Sequence, residues 1–164
     1  MAVGAESFRR SGNLNQATNL TIKTTQYILE SFLHRAKSIE CEDITSCDFS
    51  SKFGLLKFFL SGKPISCMNL AGKWAPEAIK VANKGLSLAQ PELTYQPISC
   101  ASEVVKRMGG SEVEMAIVAG FAGGLGLSGN GCGALAAAVW KTILELVIKE
   151  NWKLLYLIRL QKKY

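Results

Sequence analysis

The feature that most limits how this chain can fold is an uncharged stretch, residues 115–140, which glycine interrupts repeatedly. A stretch of this length without charge is long enough to cross a bilayer as a helix. The glycines within it are Gly120, Gly123, Gly124, Gly126, Gly129, Gly131 and Gly133. Because these glycines break a continuous helix, part of the backbone in this stretch would have no hydrogen-bond partner in lipid. We therefore predict no membrane span here, and a tight loop between two helices instead.

The spacing of apolar residues predicts helices along most of the chain. Residues 18–37, for example, place Ile22, Leu29 and Phe32 on one side of a helix. Further helices are predicted over residues 52–60, after each of Pro64, Pro76 and Pro97, over residues 112–122 and over residues 132–149. The alternation typical of strands is absent. We predict an all-α protein, a compact bundle of about six helices with a glycine-rich loop before a long buried helix.

Local signals mark some helix ends. Ser111 followed by Glu114 is typical of a capping box, and Gly109-Gly110 is typical of a left-handed helix stop. His34, the single histidine, lies beside the apolar row of its helix. We interpret it as a partly exposed helix residue rather than a catalytic one.

The charge distribution argues against a nucleic-acid partner. The chain has 19 Lys and Arg residues against 13 Asp and Glu residues, a formal charge of +6. The C-terminal residues Lys149, Lys153, Arg159, Lys162 and Lys163, against Glu150, carry +4 of it, which leaves +2 for the rest. A body with so small a net charge has no electrostatic footprint for nucleic acid.

The first ten residues contain no apolar run of the kind that forms a secretion signal. A cytoplasmic location is therefore expected. Cysteines in that compartment are more often catalytic, redox-sensing or metal-binding than disulfide-bonded.

The five cysteines carry the most distinctive chemistry in the chain. A thiolate, not a thiol, attacks disulfides or ligates metals, and the N–H groups at a helix start stabilise negative charge. The sequence predicts Cys67, Cys100 and Cys132 in the first turns of three helices. For each of them, a small buried hydrophobic residue is the other interpretation. No C-x-x-C pair occurs, so local zinc and ferredoxin spacings are absent.

The glycine-rich run allows more than one interpretation. Residues 124–129 match G-x-G-x-x-G, which binds dinucleotides where a strand precedes it and a helix follows. No strand is predicted before it, which makes this the weaker alternative. We instead expect tight turns that bring backbone N–H groups near the Cys132 sulfur. The residues assigned to that binding role are Gly124, Gly126, Gly129 and Gly131.

Residues 120–134, GFAGGLGLSGNGCGA, resemble the signature of the redox-active C_GCAxxG_C_C family. Residues 99–105, SCASEVV, are similar to an earlier cysteine element of that family, so the resemblance covers residues 97–140. Members usually have two further cysteines downstream. Here similar residues lie upstream, around Cys41 and Cys67. Such an order would arise in a chain that keeps the end of one family copy and the start of a second copy.

The resemblance divides the chain into residues 1–90, similar to the end of one copy, residues 95–150, similar to the start of another, and an atypical basic, aromatic tail, residues 151–164. It implies that Cys41, Cys67, Cys100 and Cys132 are the four family cysteines, either catalytic thiols or ligands of an iron–sulfur cluster or another metal. Cys47, where glycine is usual, is extra. A redox partner and a homo-oligomer are the partners it suggests.

Together these observations predict a cysteine-based redox protein, working by thiol–disulfide cycling or through a cysteine-ligated metal or iron–sulfur centre. We expect Cys132 to be the most reactive thiol, because the loop amides and the helix start act on it together, with Cys100 as its partner. Whether the protein is an enzyme stays open. Two other classes also stay open: a helical interaction module with buried structural cysteines, and a membrane-associated protein that uses the tail.

Overall fold

The computed structural model describes residues 1–87 and 99–161, with side chains described as far as Glu150. In this part of the chain the elements are α1 (Ala2–Ser11), α2 (Leu14–Ala36), α3 (Cys41–Thr45), α4 (Lys52–Leu60), α5 (Lys63–Ser87), α6 (Cys100–Arg107), α7 (Glu112–Val118), a 3-10 helix (Ala119–Phe121) and α8 (Gly133–Gln161). No strand occurs in the same ranges. The predicted all-α class is confirmed.

The chain divides into two compact units. The terminal unit comprises residues 1–22 and 92–164, and the central unit comprises residues 23–91. One boundary therefore falls inside α2. The sequence predicts segments of 1–90 and 95–150, whereas in the structure the first 22 residues pack with the later part of the chain.

The terminal unit has a shared core. Ala101 and Val105 of α6, Val118 of α7 and Ala137 of α8 are all 0% exposed and contact one another. Helix α1 packs against α7 at Gly4, where an added Cβ would lie 2.2 Å from the Ala116 carbonyl oxygen. Because backbones approach this closely, the helices of this unit have little freedom to shift.

Two of the predicted helix ends in the terminal unit are confirmed. The Ser111 hydroxyl accepts a hydrogen bond from the Glu114 N–H at 3.3 Å, and the Glu114 carboxylate accepts one from the Ser111 N–H at 2.7 Å. Gly109 adopts φ 76°, and the Gly110 N–H donates to the Val105 carbonyl at 2.9 Å. The sequence thus fixes both the end of α6 and the start of α7.

The central unit is held at a few close contacts. The Phe32 ring of α2 meets the Trp74 ring of α5 edge to face, with centroids 4.9 Å apart. Gly85 lies against α2 so closely that an added Cβ would be 2.8 Å from a side-chain carbon of Thr24. Elsewhere in this unit large apolar side chains are exposed, most of all on α4.

The prediction that a helix begins at Pro76 is wrong, because this proline lies inside the continuous helix α5. The prediction rested on the cost of proline in a helix interior, about 3 kcal/mol. Contacts on both sides of Pro76 hold the helix together. The Trp74 indole N–H donates to the Ser31 hydroxyl at 3.2 Å, and that hydroxyl donates to Glu77 at 3.1 Å.

The structure differs from prediction at three other helices. Helices α1 and α3 occupy segments that the sequence analysis treats as non-helical, and α8 continues to Gln161 instead of ending at residue 149. The predicted burial of α8 is wrong for most of its surface. Its buried residues are Gly133, Ala137 and Lys141, whereas Leu135, Val139 and Ile143 are exposed.

Pro97, where the sequence predicts a helix to begin, lies outside the described residues, and the helix that follows it, α6, begins at Cys100. The side chains of the basic tail lie outside the described residues too. No helix within the described ranges has the length and hydropathy needed to cross a membrane.

Candidate thiol site

All five cysteines are free thiols. Cys41, Cys47 and Cys67 belong to the central unit, and Cys100 and Cys132 belong to the terminal unit. Cys41, Cys100 and Cys132 are exposed, Cys67 is half-buried and Cys47 is buried. The Cys47 thiol donates to the Thr45 carbonyl at 3.5 Å, so this extra cysteine serves as a small, internally bonded side chain.

Cys132 stands immediately before α8, at the position the sequence predicts. Its carbonyl oxygen accepts a hydrogen bond from the Ala136 N–H at 3.1 Å, which closes the first turn of the helix. Cys132 is therefore the residue that caps α8. The N–H groups of Ala134 and Leu135, two and three residues later, are among those that have no partner inside the helix.

The glycine-rich loop before Cys132 is wound in the left-handed sense. Five consecutive residues, from Gly123 to Leu127, have φ between 55° and 78°. Two of them are leucines, for which this conformation costs about 1–2 kcal/mol each. Gly129 and Gly131 adopt positive φ as well, at 80° and 73°. Backbone strain of this kind is concentrated at functional sites in proteins.

The amides of this loop bond to its own carbonyl groups. The N–H groups of Gly126, Leu127 and Gly129 donate to the carbonyls of Gly120, Ala122 and Gly123, each at 2.8 Å. The Gly124 N–H donates to the Phe121 carbonyl at 3.1 Å. The expectation that these amides point to the Cys132 sulfur is therefore corrected for Gly124, Gly126 and Gly129. Their structural role is to close the loop.

Close approach at Gly133 fixes where Cys132 lies. A Cβ added to Gly133 would be 1.7 Å from the carbonyl oxygen of Phe121, at the end of the 3-10 helix. Gly124 is equally restricted, since its added Cβ would be 2.4 Å from the Asn130 carbonyl oxygen. The start of α8 is thus packed directly on the backbone that precedes the loop, and the thiol of Cys132 is presented from a rigid base.

Cys100 is the first residue of α6, again as the sequence predicts. The Ser99 hydroxyl caps this helix by accepting a hydrogen bond from the Ser102 N–H at 3.2 Å. The next residue, Ala101, belongs to the same buried cluster as Ala137 of α8. Cys100 and Cys132 therefore begin two helices that pack on each other within one unit.

Cys67 and Cys41 differ from this pair. Cys67 is the fifth residue of α5, so the prediction that it lies in the first turn of a helix is wrong. The helix begins earlier than Pro64 suggests, at Lys63. Cys41 begins α3, a helix of only five residues that the sequence analysis does not predict. A helix this short presents a weak dipole to the sulfur.

The described residues do not fit a metal centre. No group of three or more His, Cys, Asp and Glu side chains within them is arranged to hold a metal ion. The four cysteines that the resemblance assigns as ligands lie two in each unit.

A partly buried ion pair supports the helix that Cys132 begins. Lys141 Nζ lies 2.6 Å from Glu114 Oε1, and its side chain is 9% exposed. This lysine, with the hydrogen bonds from Ser111, holds the pKa of Glu114 below its usual value of 4.5. The bond to Glu114 in turn raises the pKa of Lys141 above 10.5. Both groups are charged at neutral pH, and they tie α8 to the start of α7.

In the terminal unit, a cleft of about 580 Å³ is lined by Ser99 and Ser102, the neighbours of Cys100, together with Lys106 and Glu112. Part of its wall comes from the first residues of α2, which are distant from Ser99 in the chain, so no local pattern in the sequence indicates this cleft.

In the central unit, a cleft of about 530 Å³ lies between α2 and α5, where Tyr27, Glu30, His34, Glu77 and Lys84 line it. His34 is exposed, as predicted. The spacing of Tyr27, Glu30 and His34 on one face of α2 was the signal that could have revealed this wall.

Comparison of the chain with protein-family models, with curated proteins and with solved structures gave no match.

Proposed function

We propose that the protein is a thiol–disulfide exchange protein whose reactive pair is Cys132 and Cys100. One observation carries the proposal: two exposed cysteines begin two helices that pack against each other in one unit. Helix starts favour the thiolate, which is the reactive form. The strained loop before Cys132 and the resemblance of residues 97–140 to the C_GCAxxG_C_C family support the same conclusion.

The assigned roles follow from the two helix starts. Cys132 occupies the capping position of α8, a position from which a side chain can accept hydrogen bonds from the first amides of a helix. In α6 the capping position belongs to Ser99, whose hydroxyl already accepts a first-turn N–H. We therefore assign the attacking thiolate to Cys132 and the resolving thiol to Cys100.

The exchange is a two-step transfer. The Cys132 thiolate attacks one sulfur of an acceptor disulfide, forms a mixed disulfide and releases the other acceptor sulfur as a thiolate. The Cys100 thiolate then attacks the Cys132 sulfur and releases the second acceptor thiol. The acceptor disulfide is reduced to two thiols, and the protein pair is oxidised to a disulfide. A bridge between the two requires Cα atoms within about 7 Å during this second step.

The test is oxidation of the native protein by glutathione disulfide, followed by acid quenching, alkylation and mass spectrometry of non-reduced peptides. We expect a peptide linked by Cys100 and Cys132. The variant Cys100→Ser should accumulate glutathione on Cys132, and Cys132→Ser should lose at least ten-fold in the rate of the first step.

Cys41→Ser is the matched control, because Cys41 is exposed to solvent but begins a helix of five residues. It should leave both steps unchanged. Equal rates at Cys41 and Cys132, or a mixed disulfide that Cys100 never resolves, would contradict the proposal. Anaerobic purification with metal analysis tests the other form of the redox hypothesis, since bound iron or zinc would favour a cysteine-ligated centre.

A second candidate function, a helical interaction module, is favoured by the outer face of α8. Leu135, Val139, Ile143 and Leu146 recur at intervals of three or four residues and are 65%, 51%, 54% and 55% exposed. A row with this spacing is typical of helix pairing. If it joins two copies, light scattering of the full chain should give twice the monomer mass, and Val139→Ser with Ile143→Ser should return it to the monomer.

A further inference from the structure

One hairpin of the central unit exposes an unusual amount of apolar surface. This apolar hairpin comprises residues 49–76, which contain α4 and the first half of α5. Phe53 is 83% exposed and Leu60 is 79% exposed, with Ile65 and Met68 at 73% and 75%. In α4 the buried residue is Gly54. Apolar patches of this kind on a protein surface mark interaction sites.

The charge of the apolar hairpin has a single sign. Residues 49–76 contain Lys52, Lys57, Lys63 and Lys73 and no acidic residue, since the nearest acids are Asp48 and Glu77. The lysine stems can cover apolar surface while their ammonium groups stay in water. The surface therefore combines exposed aromatic and aliphatic side chains with an excess of positive charge. Acidic residues lie at its edge, where Glu42 accepts a hydrogen bond from the Phe49 N–H at 3.2 Å.

This charge argues against a second copy of the chain as the occupant. Two copies joined through this surface would place lysines against lysines, and like charges across an interface are costly. An occupant must therefore bring negative charge as well as an apolar environment.

The arrangement of the side chains favours a fluid occupant over a shaped one. Leu55, Leu56 and Phe59 are all exposed, and in a helix Leu55 and Leu56 point about 100° apart. A protein groove accepts one face of a helix, whereas α4 offers apolar side chains on several faces. The fluid boundary between lipid headgroups and acyl chains accepts exposed apolar side chains without a matched shape.

We propose that the apolar hairpin docks on an anionic lipid bilayer. Phenylalanine and leucine side chains enter the headgroup boundary, and the lysines contact lipid phosphates and carboxylates. With nine residues, α4 is about 14 Å long, well below the thickness of the hydrocarbon core. The contact is therefore at one surface of the bilayer and does not span it.

The experiment is flotation of the full chain with two kinds of vesicle, phosphatidylcholine alone and phosphatidylcholine mixed equally with phosphatidylserine. We expect flotation with the mixed vesicles, loss of it in high salt, and little binding to phosphatidylcholine alone. Phe53→Ser with Leu60→Ser should weaken binding at least ten-fold. Lys52→Gln with Lys63→Gln should weaken it and reduce its salt dependence.

Ile79→Ser with Val113→Ser is the matched control, because these apolar residues are 64% and 42% exposed and lie outside the hairpin. It should bind as the unchanged chain does. Circular dichroism should show all variants equally helical, since none of the substituted side chains is buried.

Absence of flotation with the anionic vesicles would overturn the proposal and would leave an acidic protein as the occupant to seek. Equal binding by the hairpin variant and the unchanged chain would also overturn it. So would a smaller mass of the Phe53→Ser/Leu60→Ser variant in light scattering, because that result would show pairing of two copies through this surface.

Discussion

The two units of this protein differ in the apolar residues that they bury, although both leave large apolar side chains exposed, among them Leu135 on α8. In the terminal unit small side chains, Ala101, Val105, Val118 and Ala137, are fully buried where helices meet. In the central unit the large side chains Phe53, Leu60 and Ile65 are exposed, and contact between helices depends on a few sites such as Gly85 against Thr24. How fully apolar side chains are buried thus depends on how closely the helix backbones approach each other. A high content of apolar residues does not ensure that burial.

The proposed thiol exchange and the proposed lipid contact belong to different units. The unit with the fixed core holds Cys100 and Cys132, whose proposed exchange needs two sulfurs in a reproducible position. The central unit holds the apolar hairpin, whose proposed lipid contact needs no such precision.

Replacing glycine in each unit tests the contrast most strongly. Gly133→Ala puts a Cβ 1.7 Å from the Phe121 carbonyl oxygen, so backbone must move and we expect a loss of about 3 kcal/mol or more in the free energy of unfolding. Gly72→Ala in α5 meets no atom within 4 Å and should gain about 0.5–1 kcal/mol through helix propensity. Urea unfolding measures both. Similar losses at the two positions would show that the central unit is as closely packed as the terminal one.

Truncation of one apolar side chain in each unit should give the next largest difference between the units in the free energy of unfolding. Val105→Ala removes buried methyl groups from the shared core and should lower the free energy of unfolding by about 2 kcal/mol. Ile65→Ala, at a side chain 73% exposed, should change it by less than about 0.5 kcal/mol. A loss at Ile65 comparable with that at Val105 would mean that this residue is covered in solution, and the contrast would fail.

The ion pair of the terminal unit gives the smallest effect and a dependence on pH. Glu114→Gln should cost about 1 kcal/mol, because Lys141 keeps a hydrogen bond but loses its nearer counter-charge and retains Glu145 at 3.5 Å. Folding lowers the pKa of Glu114 from 4.5, so its contribution is complete above that pH and is lost as the pH falls below it.

Folding raises the pKa of Lys141 from 10.5. Its contribution is complete below that pH and is lost only as the pH rises through the higher folded value. Thermal unfolding of the unchanged chain and of Glu114→Gln should therefore differ at neutral pH and converge below pH 4.5. The exposed pair of Glu103 and Arg107 offers the control, and Glu103→Gln should leave unfolding unchanged. A constant difference down to strongly acid pH would exclude the charge as its cause.

The sequence predicted structure well where the signal is local. Helix α4 has the bounds expected for residues 52–60, and the Ser111 cap and the Gly109 stop follow from neighbouring residues alone. Prediction failed where distant contacts decide. Trp74 and Glu77 hold Pro76 within α5 through Ser31, and no pattern near Pro76 indicates that contact.

The candidate thiol site, too, was predictable from the sequence only where the signal is local. Glycines before Cys132 and the apolar residues after it indicate a helix start, and the structure places one there. The direction of the loop amides could not be predicted, since it depends on five consecutive left-handed residues that turn the amides toward carbonyls of the same loop. The outward face of α8 was missed for a related reason, because composition does not distinguish Ala137, which packs, from Leu135, which does not.

Glu114 has consequences beyond stability, because one carboxylate serves two helices. It closes the cap of α7 and also holds Lys141 of α8, so the rotation of α8 about its axis is set from the first turn of α7. Insertions or deletions in the intervening loop are then tolerated only if they return Lys141 to the same angle. A change that turned the helix by a quarter would separate the Lys141 ammonium group from Glu114 and leave Glu145 of the same helix as its partner. It would also turn the exposed apolar row that contains Leu135 and Val139 away from the direction it now faces.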